Sequence, residues 1–317
     1  MSRGTLNKVE HPSSVLRTGA INNYVIACRS YDRAEIFPLK TYRMLEHNGL
    51  TDRLYIFVAN AEEKTRYEHS LKGKPYKKIV IGELGGANAV KAICKFFPKG
   101  QRILFVDDDL NRFYCFDKDH NFEKDSHKLA HYLEDAFDTI DKYNLGSFAF
   151  ASMQNKFWLK GKPFKEFRPF LLVGNFFGCR NDPEMIITKI SHNDDILRTA
   201  RYLDKFGGAL VYWWAGFETH YALEQGGMQA SGTRGFKDER EQKTKDITLK
   251  MYEEEPLLRA YTQGPKLYPR EGLWSFKIKT APSIWKVMSE RGVPLRHARW
   301  DSWFHLRPSS QKGLNSI

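Results

Sequence analysis

Four short apolar runs punctuate the first third of the chain: YVIAC at 24–28, RLYIFVAN at 53–60, KKIVIGE at 77–83 and RILFV at 102–106. Each pair is separated by a stretch that reads as a helix. AEIFPLKTYRMLEHNGL places Phe37, Met44 and Leu45 at helical spacing and ends on Asn48-Gly49, a stop signal. EEKTRYEHSLKG closes on Gly73, and GGANAVKAICKFFPKG begins at Gly85-Gly86 and stops at Pro98. Strands alternating with helices at such short intervals predict a mostly parallel sheet wound with helices. Ligands of such sheets collect where strands reach their carboxyl ends. Here those ends carry Arg29-Ser30 and the triplet Asp107-Asp108-Asp109, so the two are expected to form one site.

The pattern continues less regularly. HKLAHYLEDAFDTIDKY within 124–144 reads as a helix, GSFAFAS as a strand, FLLVGNFFGCRND (170–182) as a strand turning into a loop, and ALVYWWAGFETHY as one strand. Between the last two, KISHNDDILRTARYLDKFGG (189–208) is a carboxylate pair followed by a helix, and the charge-dense 233–255 reads as an exposed helix or a mobile loop. At 317 residues and 41% hydrophobic, the chain can build one large α/β domain, with or without an appendage. The expected division is a polar leader at 1–20, a core at 21–235 and a basic, aromatic-rich C-terminal extension at 236–317. Cys28, Cys94, Cys115 and Cys179 are scattered without a CxxC pair, as reduced core thiols would be. The first twenty residues lack the apolar core of a signal peptide, and no apolar run approaches the roughly 20 residues of a membrane span. The expectation is a soluble, cytoplasmic protein with no membrane partner.

Three adjacent carboxylates at the end of a buried strand repel one another and call for a positive neighbour. Hard oxygen ligands at the mouth of an α/β sheet can hold a divalent cation that neutralises a diphosphate; the alternative is a solvated acidic loop. Within the triplet, the last residue is best placed to reach the cation and the first to accept from a ribose or base. Arg29, Ser30 and Arg33 offer donors to a nucleotide's phosphates or base edge. Gly85 and Gly86 would let backbone N–H groups approach a phosphate. Asp194 and Asp195 stand where a helix begins; one carboxylate suffices for an N-cap, which leaves the other available as a general base.

Taken in order, ACRSYDR, FVAN with Tyr67 after it, the Gly-Gly helix start, ILFVDDDL, NDDILRTAR and QGGMQASGTR span about residues 20–235. In this order they resemble the metal-dependent GT-A glycosyltransferases. Among these, the chain is most similar to the TET/JBP-associated DNA glycosyltransferases, linked to base J and to phage DNA in which hydroxymethylated pyrimidines are glycosylated. The resemblance implies a GT-A-like fold and a nucleotide-sugar donor, most simply a UDP-sugar. It also implies a divalent metal (Mn²⁺ or Mg²⁺) on Asp107 and Asp109, with Asp108 between them. The downstream Glu-Asp of such enzymes reads Asp194-Asp195 here, which makes Asp195 the preferred base and Asp194 the reserve. His220, His297 and His305 are late histidines without a motif, and none is assigned to a metal.

Charge adds an independent clue. The net charge is +12, and over 266–307 nine Lys/Arg face three acids, with seven aromatics interleaved. Such a tail suits a polyphosphate backbone and a stacked or extruded base, although most of its tryptophans would equally serve as a hydrophobic cap. Lys277, Lys279, Lys286, Arg296 and Arg299 are the candidate DNA contacts. The reading is glycosyl transfer to 5-hydroxymethylcytosine or 5-hydroxymethyluracil in DNA. The alternatives are the same fold with a sugar or protein acceptor, a non-catalytic DNA-binding protein, and a two-metal nuclease, for which adjacent acids on one strand end supply too narrow a ligand set. Oligomeric state is left open.

Overall fold

The computed structural model describes residues 24–151, 156–172, 176–188, 192–219, 237–268, 273–293, 295–296 and 298–300. In chain order the elements begin β1 (Tyr24–Arg29), α1 (Thr41–His47), β2 (Leu54–Val58), α2 (Ala61–Ser70), β3 (Lys78–Ile81), α3 (Gly86–Phe96) and β4 (Arg102–Val106). There follow β5 (Leu110–Phe116), β6 (Phe122–Lys124), α4 (Leu129–Tyr143), β7 (Ser147–Phe150), β8 (Lys165–Arg168), β9 (Phe176–Arg180), α5 (Pro183–Ile186), α6 (Asp194–Phe206), β10 (Ala209–Tyr212) and β11 (Ala215–Thr219). The C-terminal part holds α7 (Lys237–Glu254), α8 (Pro256–Tyr261), β12 (Thr262–Tyr268), β13 (Leu273–Ile278), α9 (Ala281–Glu290) and β14 (Ala298–Trp300).

The stop and cap residues act locally as their chemistry dictates. Gly49 takes φ +64° just after α1, and the Asn60 side chain accepts from the Glu63 N–H to start α2. Asn144, at φ 51°, ends α4 in the left-handed region that asparagine tolerates.

Among the described residues the main sheet has nine strands in the order β14-β8-β10-β7-β9-β4-β1-β2-β3. Strands β3, β2, β1 and β4 are mutually parallel, as the alternation predicts. The second half is mixed: β9 runs antiparallel to both β4 and β7, and β8 antiparallel to both β10 and β14. Seven strands therefore point one way and two point back. The antiparallel β9 has a clear packing role. Gly178 faces the Phe148 ring of β7, and a Cβ there would lie 2.0 Å from that ring. Gly178→Ala is expected to cost about 1–3 kcal/mol through overpacking, read as a lowered melting temperature; an unchanged melting temperature would mean that the ring moves aside freely.

Two further differences from the sequence reading bear on the site. The run after the aspartates becomes β5, which leaves the main sheet and pairs with β11 and β6 in a separate three-stranded sheet. ALVYWWAGFETHY is accordingly two strands, β10 in the main sheet and β11 in the small one, joined at Trp213-Trp214. The aspartate triplet thus occupies the corner where the chain passes from one sheet to the other. Thr41 secures that corner: its hydroxyl donates to the Asp107 carbonyl at 2.7 Å and accepts from the Leu110 N–H at 3.0 Å.

The basic C-terminal region is built into the fold. Met251, Leu258, Tyr261, Phe276, Ile284 and Met288 are buried against Ile196, Leu197, Ala200 and Leu203 on the outer face of α6. The edge strand β14 then joins the main sheet beside β8. Phe276 of the aromatic tail is 3% exposed and is core, whereas Trp285 is 40% exposed. The side chain of Trp300, together with Trp303 and Phe304, lies outside the described residues. All four cysteines are buried and free. Among the described residues no helix is long and apolar enough to cross a membrane.

Candidate active site

Strands β1 and β4 are neighbours with Cys28 opposite Val106, so their next residues emerge together at the carboxyl edge of the sheet. There the Arg29 Nε donates to Asp107 Oδ1 at 2.9 Å. Asp107 keeps the Arg29 guanidinium firmly charged. The positive neighbour that three carboxylates require is therefore, in the first instance, arginine.

The three aspartates separate by environment. Asp108 turns inward, is 4% exposed, and accepts from Ser30 Oγ and from the Arg33 guanidinium. The Ser30 hydroxyl is also hydrogen-bonded to Tyr67, which continues the buried chain. Burial pushes the Asp108 carboxyl up to about 6, with Arg33 opposing. Asp109 lies 3.2 Å from Arg33 and 3.5 Å from the Thr219 hydroxyl on β11, and burial followed by the Asp107 charge raises its carboxyl. Asp107 and Asp109 keep side-chain exposures of 28% and 17%, so the outer two of the triplet face the open edge.

The second acidic pair arrives at this edge from α6. Asn193 precedes the helix in the left-handed region at φ 59° and makes no capping bond, because its side chain is engaged with Thr248 and Ser275. Asp195 Oδ1 takes the Ile196 N–H at 2.9 Å instead. Asp194 accepts from Arg198 Nη2 at 2.5 Å and lies 3.9 Å from Arg29 Nη1. Arg29 thus bridges Asp107 and Asp194, two carboxylates from separate elements. Asp195 has no arginine in direct contact among the described residues, and burial reinforced by the Asp194 charge pushes its carboxyl up to about 6.

Arg198 is the residue that the sequence reading passes over. It is 1% exposed, its guanidinium sits 4.4 Å over the Phe177 ring, and its Nε and Nη1 have no hydrogen-bond partner among the described residues. The signal was present as Asp194-x-x-x-Arg198, the spacing that puts two side chains on one helical face. Lys40 is a second omission; its Nζ donates to Asn111 Oδ1 at 2.7 Å just beyond the triplet.

Other candidates lie farther out. Gly85, at φ +104°, and Gly86 open α3 beyond the carboxyl end of β3, two strands from β1 and so about 10 Å away at the usual strand spacing. The five basic C-terminal candidates do not converge on one face. Lys277 is exposed on β13, and Lys279 is tied to the Ala260 carbonyl at 2.6 Å. Lys286 stands 4.0 Å from Glu290. Arg296 reaches the Asn144 carbonyl at 3.4 Å, at the amino end of β7 and hence at the edge of the sheet opposite the aspartates. Arg299 reaches the Gly161 carbonyl at 3.4 Å, at the same edge as the aspartates but on the outermost strand. His220, His297, His305 and QGGMQASGTR lie outside the described residues.

Whether this edge suits a divalent cation follows from its donor set. Asp108 is committed to Arg33 and Ser30, and among the described residues no group of three His, Cys, Asp or Glu forms a protein shell for a metal. Asp107 and Asp109 remain as two outward hard-oxygen ligands. Two carboxylates do not make a cage, but they fit a Mg²⁺- or Mn²⁺-type ion whose other positions are filled by water and substrate phosphates.

A scan against family models and a search of curated proteins return no match. Among solved structures the chain is similar to mannose-1-phosphate geranyltransferase from Thermus thermophilus, at 12% identity over 62% of this chain and 74% of that one, with a TM-score of 0.31. A likeness of that degree bears on neither family nor activity.

Proposed function

We propose that the chain is a GT-A-type glycosyltransferase whose donor is a nucleotide sugar held at the carboxyl edge of β1 and β4. The single observation that carries this reading is the bridge made by Arg29 between Asp107 and Asp194. It joins a carboxylate set suited to a cation and diphosphate to a carboxylate pair suited to proton transfer. Asp107 and Asp109 would hold a divalent cation, which supplies neutralisation of the charge that develops on a leaving diphosphate. Arg29 and Arg33 flank the same position with charge-assisted donors. Asp195, raised but ionised at neutral pH, serves as the base for an acceptor hydroxyl, while Asp194 is fixed by two arginines and orients the pair.

The finer reading follows the sequence resemblance and the net charge. The acceptor is the hydroxymethyl group of a modified pyrimidine in DNA, the donor a UDP-sugar, and the setting phage DNA modification. The placement of Lys279 and Arg296 counts against a single DNA surface made by the five C-terminal residues.

The test is release of nucleoside diphosphate from a panel of nucleotide sugars with Mn²⁺, with and without hydroxymethylated DNA. Turnover of at least one donor is expected; no turnover of any donor under either condition would remove the proposal. On the same assay Arg29→Ala is expected to raise the donor KM about tenfold or more, because one charge-assisted donor at the diphosphate is lost and Asp107 is released. An unchanged donor KM would confine Arg29 to a structural role.

A further inference from the structure

The described residues contain one strongly exposed aromatic pair. Phe157 is 71% and Trp158 61% exposed, with ring centroids 5.6 Å apart and planes at 83°. The next residue, Leu159, is fully buried, so the short turn that carries the rings is anchored in the core while the rings face solvent. Trp214 Nε1 donates to the Lys162 carbonyl at 3.2 Å and fixes the far end of the segment. This is a rigid, apolar, two-ring surface.

Its position ties it to the site. The segment follows β7 on the carboxyl side of the sheet, and β7 is two strands from β4. At the usual spacing that is about 10 Å sideways from the aspartate corner.

Its border is positive. Lys160 is exposed, the Lys162 ammonium lies 4.4 Å over the Trp213 ring, and Arg299 Nη2 donates to the Gly161 carbonyl. Glu166 is the single acid in 151–168, and it is buried and engaged by Arg168 and the Trp213 indole N–H. A neutral glycan would stack on such rings without needing the cations. A protein partner would not need two freestanding ring faces. A polynucleotide uses both features, since its bases have π-faces and its phosphates are anionic.

The geometry points to Phe157 and Trp158 as a stacking platform for unpaired or extruded bases of a polynucleotide, with Lys160, Lys162 and Arg299 on its phosphates. The platform rests on the proposed function only for its purpose, presentation of the acceptor beside Asp195. Binding itself can be measured without chemistry. Of the five basic residues that the tail offered, Arg299 is the one this assignment retains.

The experiment is fluorescence anisotropy of a labelled single-stranded deoxyoligonucleotide with the full chain across a salt series. Trp158→Ala is expected to weaken binding about tenfold, the order of one lost base–aromatic stack, and Phe157→Ala with Trp158→Ala to weaken it further. Trp158→Phe, which keeps a ring, is expected to retain most of the affinity. Lys160→Glu with Arg299→Glu should flatten the dependence of log affinity on log salt. Hydrolysis of a nucleotide sugar without DNA is expected to be unchanged in all of these variants. Unchanged affinity in Trp158→Ala, an equal loss in Trp158→Phe, no oligonucleotide binding by the wild type at low salt, or preferential binding of a neutral oligosaccharide would each overturn the assignment. Stacking-dependent binding without glycosyl transfer would support the platform and sink the transfer reading alone.

Discussion

Asp109→Asn is expected to lower turnover of the nucleotide-sugar donor by about 10³-fold, and EDTA to do the same to the wild type. The size follows from the chemistry: a cation that neutralises a departing diphosphate supplies about 4 kcal/mol of transition-state stabilisation, and one hard oxygen ligand in two would be lost. Asp109 suits the test better than its neighbours. Asp107 also binds Arg29, so its amide would disturb the bridge to Asp194 as well as the cation. Asp108 is buried under Arg33 and Ser30, so its substitution would strike the fold first. Full activity of Asp109→Asn, or of the wild type in EDTA, would leave the triplet as an arginine-binding corner and nothing more.

The second large effect concerns Asp195. Asp195→Asn is expected to reduce kcat by roughly 10²- to 10⁴-fold, the range of general-base catalysis, with the donor Kd nearly unchanged because the base acts on the acceptor. The pH dependence gives an independent check. Burial and the Asp194 charge raise the Asp195 carboxyl to about 6, from about 3.9 for an unperturbed aspartate. The carboxylate is the working form, so activity should be full above that value and fall as pH drops through it, about tenfold per unit. A profile that stays flat well below pH 6 would contradict the assignment. A severe loss in Asp194→Asn with a mild one in Asp195→Asn would reverse the roles, although Asp194 is bound to Arg198 and its substitution would leave a buried guanidinium unpaired.

The first four strands and their parallel order were legible because each is a complete local pattern: an apolar run, a helix and a stop signal. The reversal of β9 was not, since FFGCR carries no mark of direction and its antiparallel pairing depends on Gly178 accommodating a ring from β7. Nor was the departure of β5 from the main sheet, because LNRFYCF is apolar enough to belong to either sheet. At the site, residue type and position were readable and pairing was not. The triplet asked for a positive charge, but its partners Arg29 and Arg33 are 78 and 75 residues away in sequence and are brought there by strand register. That one aspartate of the three is internal also depends on the corner secured by Thr41. The tail misled for a physical reason: basic residues beside aromatics look alike whether they face a polyanion or, as with Lys279, hold the carbonyls at a helix end.

The most direct measurement is mass spectrometry of nucleosides from hydroxymethylated DNA incubated with the protein, Mn²⁺ and a panel of nucleotide sugars. The account predicts a nucleoside heavier by one glycosyl residue with at least one donor, absent when Asp109→Asn or Asp195→Asn replaces the wild type. Unmodified nucleosides with every donor, alongside transfer to a sugar or protein acceptor, would contradict DNA as the acceptor, and no transfer to any acceptor would contradict the enzyme.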